Sequence, residues 1–152
     1  MTISDATPHN LTAGPPAADI ASLTSPVSAM HFVIGPHCTP IEAMGQAAGV
    51  TSAALPLILE GLADAANVCA DVQAVLTELV DITARHRAGD LVGSITYDGA
   101  HVTVSVGDMD CPLPAPEVEP GLYLVRGLAT DVGQYAGDHG GRVTWAAVAV
   151  RS

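Results

Sequence analysis

The 152-residue sequence contains no lysine, and its five cations, all arginine, stand against sixteen Asp and Glu for a formal net charge of -11. That balance excludes an ordinary nucleic-acid surface. Counterion release needs a basic stripe, and the only close basic pair is Arg85 and Arg87. A polybasic membrane anchor is excluded on the same ground. Aromatic residues are scarce at 3%, so a core must be built from Ala, Val, Leu and Ile, with Phe32 and Trp145 as rare large contributors. The longest apolar run, residues 53–59, contains Pro56 and stops at Glu60, well short of the roughly 20 residues that span a bilayer. Residues 1–16 lack the charged and apolar regions of a signal peptide, so a cytoplasmic location is expected. The three cysteines, Cys38, Cys69 and Cys111, are odd in number and widely spaced, which supports neither a disulfide framework nor a zinc knuckle and predicts buried, reduced thiols. The six histidines are scattered with no i, i+4 pair on a predicted helix, so no metal site is expected. A phosphate-binding P-loop and a Ser-His-Asp elbow are also missing.

The length suits one domain with a tail. Residues 1–28, with Pro8, Pro15, Pro16 and Pro26 among small polar residues, predict a flexible N-terminal arm ahead of a domain over 29–152. A short strand is expected at Met30–Ile34, ended by Gly35 and Pro36. Thr39, Pro40, Ile41 and Glu42 form a capping box that starts a helix, which Gly49 can close. Residues 51–66 read as largely helical, with boundaries blurred by Pro56 and Gly61. Val68, Val72, Val75, Leu76, Leu79 and Ile82 recur at three- and four-residue spacing and predict a central helix to about His86.

The period then changes to two. Residues 91–97 and 100–106 alternate around Asp98-Gly99, the signature of a hairpin with a type I′ turn. A proline-rich acidic loop spans 107–120. From Gly121 a helix is predicted through Leu122, Val125, Leu128, Ala129 and Val132, followed by a glycine-rich turn and a last strand over 142–150. Strand, helices, hairpin, loop, helix and strand describe an α+β two-layer sandwich with helices on one face of a mixed or antiparallel sheet.

Four segments in this order resemble the ATP-binding domain of anti-sigma-factor serine kinases and their actinobacterial relatives. That family lies in the histidine kinase and gyrase (GHKL) superfamily with the Bergerat fold. Residues 78–86, Glu-Leu-Val-Asp-Ile-Thr-Ala-Arg-His, lie over the N-box E-L-V-x-N-A-x-R-H. Val104-Ser105-Val106-Gly107-Asp108 delivers an aspartate where the family places its adenine-binding one. Gly121-Leu122-Tyr123-Leu124-Val125 resembles the glycine box, and residues 140–145 resemble the closing G-G-x-x-V-W strand. The resemblance covers about 70–150. It implies Glu78 as a base, and Ile82, Asp108, Met109, Gly121, Leu122, Tyr123 and Thr144 as the lining of a ligand pocket, with Asp108 as a second candidate for catalysis.

Two departures from the family pattern concern ATP directly. The N-box asparagine, which in the family holds magnesium one helical turn from the glutamate, is Ile82 here, and an aliphatic side chain offers a hard cation no oxygen. Glu119 and Pro120 stand where the glycine box should begin, placing a negative charge and a missing N–H beside a triphosphate. The expectation is therefore a degenerate member of the fold with no cofactor, its magnesium-ATP chemistry lost and kinase activity not expected. The resemblance implies binding to a sigma factor or an anti-anti-sigma factor, and homodimerisation through Met30–Gly49. The alternative is a former nucleotide pocket that binds a small organic ligand, with Glu78 or Asp108 supplying acid-base or cyclisation chemistry.

Overall fold

A computed structural model describes residues 29–138 and 140–150; the arm proposed for residues 1–28 lies outside them. Its order is β1 (Ala29–Ile34), α1 (Pro40–Ile58), α2 (Ala65–His86), β2 (Arg87–Tyr97), β3 (His101–Met109), α3 (Gly121–Leu128), β4 (Asp131–Ala136) and β5 (Arg142–Ala149). Among the described residues five strands form one sheet in the order β1-β2-β3-β5-β4 with every pairing antiparallel, so of the two expected arrangements, mixed or antiparallel, it is the antiparallel one. The helices pack on one face of it, giving the α+β two-layer sandwich. Among the described residues no helix is long and apolar enough to cross a membrane.

Helix α1 begins where the capping box places it: the Glu42 N–H donates to Thr39 Oγ1 at 3.1 Å and the Thr39 N–H to Glu42 Oε1 at 2.8 Å. It does not stop at Gly49. Ala43, Ala47, Thr51, Leu55 and Ile58 bury one continuous face, and that burial outweighs the roughly 1 kcal/mol that a mid-helix glycine costs. Pro56, which cannot donate an N–H, precedes the helix end by two residues.

Helix α2 is the centre of the molecule. Val68, Val72, Val75, Leu76, Leu79, Val80 and Ile82 are buried, each contributing about 1.5–3 kcal/mol through burial. They meet α1, the helix-facing side of the sheet and α3. On the sheet, Phe32, Ile95, Val102, Val104, Val106, Ala146 and Val148 complete the apolar layer.

The turn at 98–101 differs from the type I′ expectation, since only Gly99 has positive φ, at 96°. Asp98 is held at the end of the strand because its Oδ1 accepts from the N–H groups of Ala100 (2.8 Å) and His101 (2.7 Å). Strand β3 also runs past Gly107 to Met109, into the segment expected to be loop.

Two further corrections fall after the loop. Helix α3 ends at Leu128, and Val132, expected at its C-terminal end, lies in β4, which pairs with β5. Val132 belongs equally well to a helical and an alternating pattern. Its partner across the ladder is Ala146, and this pairing with β5 is what selects the strand.

Gly93 sits opposite Phe32 on β1, and a Cβ there would overlap the Phe32 ring. Gly93→Ala is expected to lower the unfolding free energy by about 1–3 kcal/mol in urea titration. Adding Phe32→Leu should return part of that loss, giving a non-additive pair.

Candidate functional site

Glu78, Asp81, Ile82 and Arg85 fall at helical spacing on α2, towards the junction of the acidic loop with α3. Ile82 is only 1% exposed and packs in the core. Arg85 reaches across the surface to the loop in a two-pronged contact: Nη1 donates to Glu119 Oε2 at 2.7 Å and Nη2 to Glu119 Oε1 at 2.6 Å. The same Nη2 donates to Asp81 Oδ2 at 3.0 Å. The hydrogen bonds from Arg85 hold the Glu119 carboxyl below its ordinary value, against a smaller opposing effect of burial. Those to Glu119 and Asp81 raise the guanidinium in turn. His86 Nε2 lies 4.0 Å from Glu119 Oε2.

Glu78 occupies the approach to Gly121. A Cβ on Gly121 would overlap its carboxylate, so this position at the start of α3 admits no side chain without displacement of Glu78. Burial raises the Glu78 carboxyl above its ordinary 4.5, Asp81 and Glu119 raise it further, and Arg85 works against them. A carboxyl so placed keeps its proton to higher pH than a solvated one.

A second cluster closes the sheet end of the site. Met109 and Thr144 are both buried, and Thr144 Oγ1 lies 3.4 Å from Met109 Sδ. Gln134 Nε2 donates to Thr144 Oγ1 at 3.0 Å, while Gln134 Oε1 accepts from the Leu113 N–H at 2.9 Å. Gln134 thus ties the start of the loop to β4 and β5. Asp108 lies beneath the turn between these strands, its Oδ1 2.7 Å from a Cβ built on Gly137 and its Cβ 2.5 Å from one built on Gly141. Those two glycines leave the space that the Asp108 side chain fills. Asp108 Oδ2 is buried without a hydrogen-bond partner among the described residues, as is Thr83 Oγ1.

The structure therefore brings Glu78 to Gly121 and Met109 to Thr144, sets Leu122 and Ile82 in the core, and places Asp108 against Gly137 and Gly141. Tyr123, read as pocket lining, is 57% exposed. A cavity of about 440 Å³ lies elsewhere, between the N-terminal half of α2 and the end of α3, lined by Asp64, Val68, Asp71, Leu128 and Thr130 among others.

Sequence reasoning missed the Arg85–Glu119 pair and the role of Gln134. Partners 34 residues apart on different elements leave no local spacing signal, and an arginine in the last turn of a helix is favoured by the helix dipole whatever else it touches. No family model matches the chain, and no curated protein matches it.

The two carboxyls give opposite pH behaviour. Glu119, lowered on folding, contributes stability above the ordinary glutamate value that is lost as pH falls through its folded value. Glu78, raised on folding, costs stability as pH rises from the ordinary value through its folded one. At pH 7, thermal unfolding should show Glu119→Gln less stable and Glu78→Gln more stable than the parent, each by up to about 1 kcal/mol at this partly exposed site. Both differences should shrink towards zero below the usual carboxylate range.

Proposed function

We propose that this chain is a regulatory protein with a kinase-like ATPase fold, that it does not carry out magnesium-ATP chemistry, and that it acts by binding a protein partner. The four motif segments in order support the fold family, and the sigma factor and anti-anti-sigma factor are the partners which that resemblance supplies. The observation that carries the reading is the two-pronged Arg85–Glu119 contact, which fastens the loop to α2 where the resemblance would set the triphosphate.

The residues present do not fit magnesium and nucleotide. Ile82 has no oxygen for the cation, and the Glu119 carboxylate is engaged by Arg85 beside the position where phosphates would need donors. Gly121 is closed by the Glu78 carboxylate, which would face a polyphosphate with like charge. Partner binding asks none of these groups to change. The acidic chain also suits a basic partner, because complementary potentials speed encounter and allow competition with nucleic acid.

One observation favours the second reading, a pocket that takes a small organic ligand: Asp108 Oδ2 is buried without a hydrogen-bond partner among the described residues, and a ligand N–H or O–H would satisfy it. Native mass spectrometry distinguishes the two readings. A bound metabolite on the purified chain would favour the pocket, whereas co-purification with a sigma factor from the source cell favours the regulator.

Magnesium-ATP at millimolar concentration should give no binding heat in titration calorimetry and no shift in unfolding temperature. Saturable heat with magnesium-ATP would contradict the proposal.

A further inference from the structure

The α2–β2 junction and the end of β3 meet at a group of side chains that lies outside the ligand-pocket lining implied by the resemblance, although His86 closes the N-box segment. Arg87 pairs with Met109 in the β2–β3 ladder, so His86, just before it, and Asp110, just after Met109, are brought opposite one another. The Asp110 N–H donates to the His86 carbonyl at 2.9 Å, which fixes that alignment. Arg87 anchors the junction from the other side by donating to the carbonyls of Gly35, Pro36 and Cys38. Cys111 follows Asp110 directly. As a result a ring nitrogen of His86, a carboxylate oxygen of Asp110 and Sγ of Cys111 all lie within 4.8 Å of one another.

From this convergence we propose a zinc site formed by His86, Asp110 and Cys111. Imidazole, carboxylate and thiolate are the three donor types that zinc takes, and a thiolate disfavours magnesium and calcium, which select oxygen. Tetrahedral zinc with bonds of about 2.0–2.3 Å places its ligand atoms roughly 3.3–3.8 Å apart, so closing the site needs side-chain movement on the order of 1 Å. Asp110 is exposed and His86 and Cys111 are partly exposed, which leaves an entry path and a fourth position for water. Glu119, near His86, adds negative charge beside the site, while Arg85, next to His86 on α2, and Arg142, opposite Met109 on β5, oppose it. The metal would cross-link the end of α2 to the start of the acidic loop. Spacing along the chain hides the site, because His86 is 24 residues from Asp110 and the strand ladder alone brings them together.

The test uses the full chain, without a histidine tag, stripped by chelator and titrated with cobalt(II) and then zinc. One cobalt per chain is expected, with a thiolate-to-cobalt charge-transfer absorption that zinc removes by displacement. Cys111→Ser should abolish that absorption, while Cys38→Ser and Cys69→Ser retain it. His86→Ala and Asp110→Asn, each of which alters a direct ligand, should weaken zinc binding in calorimetry by at least the roughly 10-fold that loss of an outer partner costs. Circular dichroism confirms that each variant is folded, and two ligands altered separately keep the result independent of any one variant. Absence of saturable cobalt binding by the parent chain would overturn the proposal. So would a charge-transfer absorption that survives Cys111→Ser.

Discussion

The burial of one face of α2 is the constraint on which the other features depend. Val72, Val75, Leu76, Leu79, Val80 and Ile82 are removed from water by α1, the sheet and α3, and this fixes the rotation of the helix about its axis. Once that rotation is set, helical spacing brings Glu78 and Arg85 to the border between α2 and the loop. Glu78 then fills the space above Gly121, and Arg85 reaches Glu119. The polar arrangement follows from apolar packing. Surface ion pairs contribute little by themselves, so Arg85–Glu119 positions the loop on a helix already held by its core.

The loop between β3 and α3 is fastened at both ends by different chemistry. At its start, the Leu113 N–H is satisfied by Gln134, whose amide also engages Thr144 on the adjacent strand. At its end, Glu119 accepts both prongs of Arg85, and its carbonyl accepts the Leu122 N–H. Between these points the prolines deny the loop regular structure without releasing it from the protein. A closed loop of this kind suits recognition of a partner by a preformed surface, because little further ordering is required on binding.

Much of the architecture was legible from residues alone. The capping box at Thr39, the stripe of α2 and the alternating strands around Asp98-Gly99 are local signals, and the structure contains the elements they imply. Gly49 misled because a glycine inside a helix and one that ends it are alike in sequence; the buried face of α1 decides between them. Val132 misled because its spacing fits two periods, and only pairing with β5 selects the strand. At the candidate site, Glu78 and Gly121 could each be picked out, but their mutual contact could not. Arg85–Glu119 and His86–Asp110–Cys111 are products of tertiary structure, invisible to any window along the chain.

Gln134 and Arg85 hold the 110–120 loop on the body of the protein by contacts within the chain itself, without nucleotide. Amide hydrogen exchange at Leu113 and Leu122 tests it most directly. Both amides are hydrogen-bonded, to Gln134 Oε1 and the Glu119 carbonyl, so they should exchange slowly in the protein alone and at an unchanged rate after magnesium-ATP is added. Rapid exchange that becomes slow only with nucleotide would contradict the account, since it would describe an open lid waiting for its ligand.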